Sequence, residues 1–97
     1  VELSDLFEPV RRGRATIVNA KGLHARAAAK LAKLAATFKS DLTVSRNDMS
    51  VSARSIMGLM MLAAAKGAEI EIQARGPDAE AALAAAVALV ASGFGES

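Results

Sequence analysis

Three stretches of strict alternation set the strongest limit on what this chain can fold into. Asp41 to Arg46 puts Leu42 and Val44 on one face and Thr43 and Ser45 on the other. Met49, Val51 and Ala53 alternate again, and Glu69 to Arg75 sets Ile70, Ile72 and Ala74 against a polar side. A period of two with one dry face describes strands of a sheet that is wet on one side. Such sheets are mainly antiparallel, with helices over the dry side. A short β-prone run, Ala15-Thr16-Ile17-Val18, precedes them. Elsewhere the period lengthens. Ala25 to Phe38 consists of good helix formers, with Ala28, Leu31, Ala35 and Phe38 at three-to-four spacing and Arg26, Lys30 and Lys33 off that stripe; Lys39 and Ser40 close it. Asn47-Asp48 reads as a two-residue hairpin loop. Ser55 to Leu62 reads as a short helix with Leu59 and Leu62 inward. Gly76-Pro77-Asp78 starts a last helix, Ala79 to Ser92, with Asp78 as N-cap, Leu83, Val87 and Val90 on one face, and Gly93 ending it. The predicted order is β-α-β-β-α-β-α, an α+β fold.

Ninety-seven residues make one domain with a modest core. Ala occupies 23 positions, so 28 larger apolar residues must build that core. Residues Val1 to Gly13 read as an extension, with Leu3, Leu6 and Phe7 able to form one apolar turn before Pro9 and Arg11-Arg12-Gly13 break it. The domain is expected over residues 14–97. The absence of Cys excludes disulfides and thiol chemistry, and a single His without Cys argues against a transition-metal site; no cofactor is implied. No apolar run is long enough to span a membrane and no signal-peptide pattern is visible, so a cytoplasmic protein is expected. A net charge of +2, three Phe and no Trp or Tyr supply neither the charge nor the stacking surface for nucleic acid.

Chemistry concentrates at Gly22-Leu23-His24-Ala25-Arg26. His24, the only histidine, falls at the N-cap or first position of the long helix. The free N–H groups and dipole of a helix start favour an anion and disfavour an imidazolium. A neutral imidazole is a nucleophile, and the helix end can cradle a phosphate placed on it. Arg26 supplies a fixed charge for phosphate oxygens, and Gly22 lets the backbone turn so that the ring points outward.

These residues resemble the phosphorylation-site motif of HPr, the histidine-containing phosphocarrier of the phosphoenolpyruvate-dependent phosphotransferase system. The resemblance runs from Arg14 to about Gly93. It includes Ser52-Ala53-Arg54-Ser55-Ile56-Met57-Gly58-Leu59-Met60 and Lys66-Gly67-Ala68-Glu69-Ile70. It implies the HPr open-faced β-sandwich, four antiparallel strands with three helices on one face. It also implies that His24 accepts a phosphoryl group on Nδ1 from phosphorylated Enzyme I and passes it to an Enzyme IIA-type acceptor, with Arg26 stabilising the phosphorylated state. Ser55 matches the family's regulatory serine, a target of HPr kinase/phosphorylase; read from the residues alone it is an N-cap. Ile56, Met57 and Met60, with Met61 and Ala25, match a partner-docking patch near His24. Met suits a surface that must fit several proteins. Lys30, Lys33 and Arg54 form a candidate basic rim for acidic partners, although each alone reads as a solvated charge. The family usually has Pro directly after the Arg; Ala27 stands there instead and restores a free N–H close to the phosphate.

Within this reading two circuits compete, sugar uptake and a regulatory nitrogen-type branch; Ala27 and the N-terminal extension favour the second. Metabolic or stringent-response enzymes are then expected partners, and a monomer suits a shuttle. The alternative is a regulatory binding module of the same fold that acts without phosphotransfer; the presence of His24 speaks against it. A small ligand- or RNA-binding domain and a metal chaperone fit the composition less well. Stand-alone catalysis is not expected, because no second acid or base sits near His24 in sequence.

Overall fold

The computed structural model describes residues 9–96. The apolar turn expected from Leu3, Leu6 and Phe7 lies outside them. The elements are β1 (Val10–Thr16), α1 (Ala25–Ala36), β2 (Asp41–Arg46), β3 (Met49–Ser52), α2 (Ile56–Met61), β4 (Glu69–Arg75) and α3 (Ala79–Ala91), followed by a 3-10 turn, Gly93–Gly95. The strands form one antiparallel sheet in the order β1-β4-β2-β3. The predicted order of elements is the observed one.

The two central strands are the ones whose alternation is cleanest. Ile70, Ile72 and Ala74 of β4 and Leu42 and Val44 of β2 are buried. Val44 stands opposite Ile72 and Leu42 opposite Ala74, so the apolar faces meet in register. Arg46 pairs with Met49 across Asn47-Asp48, the expected two-residue loop, and Asn47 takes φ 56° there.

The first strand differs from expectation. It runs from Val10 to Thr16, not from Ala15 to Val18, and takes in the Arg11-Arg12-Gly13 segment read as part of an extension. The cause is pairing rather than local pattern. Val10 to Thr16 lie opposite Arg75 to Glu69 along the whole of β4. The polar face is tied by Arg12 Nε to Gln73 (3.0 Å) and by Arg14 to Glu69 (2.8 Å). Ile17, beyond the strand, enters the core while its backbone bonds Ala68 and Gly67.

The helices cover one side. In α1, Ala27, Ala28, Leu31, Ala32 and Ala35 face inward. The helix ends at Ala36 with Thr37 as C-cap, so Phe38 packs on the core from the following loop. In α2, Leu59 and the following Leu62 are buried, as expected. In α3 the deepest positions are Ala79, Ala82, Ala86 and Val90, while Leu83 and Val87 pack at the margin. Alanines bring the helix backbone close to the sheet, which moves the larger residues to the flank. Asp78 is the N-cap residue, yet its side chain does not cap. Its carboxylate accepts from the backbone N–H of Lys39 (3.0 Å) and Ser40 (2.8 Å), and its own N–H donates to Ser40 Oγ (3.1 Å). The start of α3 is thereby tied to the α1–β2 loop.

Candidate phosphoryl-acceptor site

His24 is the N-cap of α1, in extended conformation, and its carbonyl accepts the first helical bond from Ala28 at 2.8 Å. Its side chain does not cap the helix. The first-turn N–H groups of Ala25, Arg26 and Ala27 therefore keep the donor capacity that a helix start leaves over. The approach is set by Gly22, at φ 65°. A Cβ there would sit 2.5 Å from the Ala64 carbonyl oxygen, so only glycine fits. The Leu23 N–H donates to that same carbonyl at 2.9 Å, and Ala63 to Ala65 wall one side of the His24 site.

The imidazole does not stand alone. His24 Nε2 lies 2.6 Å from Glu96 Oε2. A carboxylate accepts, so Nε2 is the nitrogen that donates here, and Nδ1 is the ring nitrogen left free of Glu96. Glu96 Oε1 accepts from Asn19 Nδ2 at 3.0 Å, and the same amide donates to the Gly22 carbonyl at 2.8 Å. The Asn19 bond first, and the His24 bond second, hold the Glu96 carboxyl below the usual glutamate range against the opposing effect of burial. Asn19 is buried, and its Oδ1 has no partner among the described residues. An unpaired buried oxygen costs about 1–3 kcal/mol.

The segment carrying Glu96 has an unusual backbone. Gly93, Phe94 and Gly95 have φ of 67°, 58° and 71°, three successive left-handed residues that swing the chain back toward the start of α1. Glycine takes this conformation freely; Phe94 does so at a cost of about 1–2 kcal/mol. Burial of its ring offsets that cost, since Phe94 is 1% exposed. Lys30 Nζ then donates to the Phe94 carbonyl at 2.6 Å.

The expected site residues fall in three places. Arg26 and Lys30 line the same pocket as His24 and Glu96; the Arg26 guanidinium has no hydrogen-bond partner among the described residues. Ile56, Met57, Met60 and Met61 are exposed on α2, with Met57 at 73% and Met61 at 65%. Ser55 caps α2, its Oγ accepting from the Gly58 N–H at 2.9 Å. Ala25 is exposed beside His24. The basic rim is less uniform than expected. Arg54 donates to the Phe38 carbonyl at 2.8 Å and Lys30 to Phe94, which leaves Lys33 as the member of that set without a hydrogen bond among the described residues.

Glu96, with the Asn19 that holds it, is what sequence reasoning missed. It lies 72 positions from His24. The available signal was the pair of glycines flanking Phe94, which permits a reversal after the last helix.

The same arrangement of elements recurs in known proteins. Residues 12–92 match the family model described as the PTS HPr component phosphorylation site. The phosphocarrier protein HPr of Cupriavidus necator is 52% identical over 81 residues, covering 84% of this chain and 91% of that protein. The phosphocarrier protein NPr of Shewanella violacea is 46% identical over 82 residues, covering 84% and 90%. Among solved structures, HPr-C-His from Thermoanaerobacter tengcongensis superposes with a TM-score of 0.85 at 39% identity, covering 90% of this chain and 98% of that one. With its sheet order, its three helices and its histidine at the helix start, the chain belongs to the HPr family of the phosphotransferase system.

Proposed function

We propose that this protein is a phosphoryl carrier whose acceptor is His24. The observation that carries the reading is the placement of an imidazole at the N-terminus of α1, with Nε2 held by Glu96 and Nδ1 left to act as the nucleophile. The lone pair on Nδ1 forms a bond to phosphorus as the bond from phosphorus to the donor breaks, and that electron pair returns to the donor. The phosphoryl oxygens then lie within reach of the α1 N–H groups and Arg26. Onward transfer reverses these steps toward an acceptor. The protein supplies nucleophile, orientation and anion stabilisation, while the donor and acceptor proteins supply the rest.

Family membership supports Enzyme I as donor and Enzyme IIA-type proteins as acceptors. Similarity to NPr proteins supports the regulatory nitrogen-type branch, in which the phosphorylation state acts on other enzymes through binding. The exposed apolar face of α2 is the docking patch in this reading, with Ala25 exposed at the start of α1; Lys33 lies instead in the groove between α1 and α3, with Ala85, Ala88 and Leu89. Ser55, exposed and at a helix start, is the site for a regulatory kinase; a phosphate there adds roughly −1.5 to −2 of charge beside the Met patch.

The test is intact mass after incubation with phosphoenolpyruvate and Enzyme I. The wild type should gain one acid-labile phosphate and His24→Ala none. A folded wild type that gains no phosphate from its cognate Enzyme I leaves a binding module that merely kept the motif.

A further inference from the structure

The carboxylate of Glu96 reaches His24 through an assembly built for that purpose. The chain turns back through three left-handed residues, Phe94 plugs into the core, and Lys30 clamps the Phe94 carbonyl at 2.6 Å. Asn19, 5% exposed, spends both of its amide protons on this corner. One holds the Gly22 carbonyl before the histidine, and the other holds Glu96 Oε1 at 3.0 Å. Both members of the contact are sheltered, with side chains 26% and 17% exposed. An incidental surface pair has none of this support.

We propose that Glu96 is a positioning residue for phosphoryl transfer, holding the Nε2 proton of His24 so that the Nδ1 lone pair stays aimed at the incoming phosphorus. The inference rests on the carrier reading above. Without Glu96 the ring is free to rotate about its side-chain bonds and to present either nitrogen. With it, one nitrogen is committed to Glu96 and the other is left for the phosphorus. As the bond from Nδ1 to phosphorus forms, the ring gains positive charge while the Nε2 proton stays on it, so the Glu96 contact shortens in effect and persists through the step. Lys21, Arg26 and Lys30 line the same pocket; Lys30 is held by the Phe94 carbonyl, and its charge helps keep the Glu96 carboxyl ionised.

The experiment compares wild type, Glu96→Ala and Glu96→Gln as full chains by two readouts. The first is the His24 Hε2 proton in nitrogen-15 labelled protein, at a pH where the ring is neutral. The second is the rate of phosphoryl acceptance from Enzyme I. The wild type should show a downfield, slowly exchanging Hε2. Glu96→Ala should lose that signal to water exchange and accept phosphate about tenfold more slowly, with the remaining amide spectrum unchanged. Glu96→Gln keeps an accepting oxygen and should recover both the signal and most of the rate. Any one of three results overturns the proposal: no protected Hε2 in the wild type, a Glu96→Ala rate equal to the wild type, or a Glu96→Gln rate no better than Glu96→Ala. A wild type that accepts no phosphate overturns the carrier reading instead, and the Hε2 signal then judges the contact by itself.

Discussion

At Ala63 an alanine takes a conformation better suited to glycine. It follows the last residues of α2 at φ 52°, with its N–H bonded to the Met60 carbonyl at 3.1 Å. This is the left-handed residue that commonly ends a helix. Ala63→Gly should therefore stabilise the protein by about 1 kcal/mol, read as a rise in the urea midpoint, because relief of the left-handed strain exceeds the added chain entropy. Several residues of the site were legible at this scale. Gly22 and His24 announce a turn into a helix start, and Ser55 announces a cap; both took those positions. Asn19 and Glu96 were not legible, since nothing local requires either to face an imidazole.

At the scale of elements, short-range pattern predicted most of the fold because each inner strand carries its own apolar face. It failed where pairing supplied what the residues did not. β1 is an edge strand whose Arg11-Arg12-Gly13 segment has no alternation, and its ladder comes from β4. The Asp78 carboxylate is another such case, leaving its own helix to bind the Lys39 and Ser40 N–H groups across the fold. The Ser40 side chain first, and the Lys39 N–H next, hold its pKa below the ordinary 3.8. A carboxyl depressed in the folded state stabilises fully above its unfolded pKa, and that contribution fades as the pH falls through the folded one. The stability gap between wild type and Asp78→Asn should thus be constant near neutrality and shrink below about pH 4. Urea unfolding of the two proteins across that range measures it, and a gap that widens in acid would contradict the assignment.

On the scale of the whole molecule, the last turn joins core and site. Phe94 is among the largest fully buried side chains, and it stands two residues before Glu96. Phe94→Ala should cost about 3–5 kcal/mol in urea unfolding and, in the protein that still folds, release the carboxylate from His24. A variant that lost the stability but kept the protected imidazole proton would separate the two roles. The sequence by itself determined the order of elements, the inner faces of the central strands, the hairpin loop and the histidine at a helix start. Those follow from periodicity and from the conformational limits of Gly, Asn and Ser, which act within a few residues. Only the tertiary structure decided how far β1 extends, which face of the alanine-rich α3 is deepest, and what holds the imidazole. An edge strand, a helix of near-uniform hydrophobicity and a carboxylate 72 positions away have no local signal. Their places are set by which partners the packed sheet and helices bring within bonding distance.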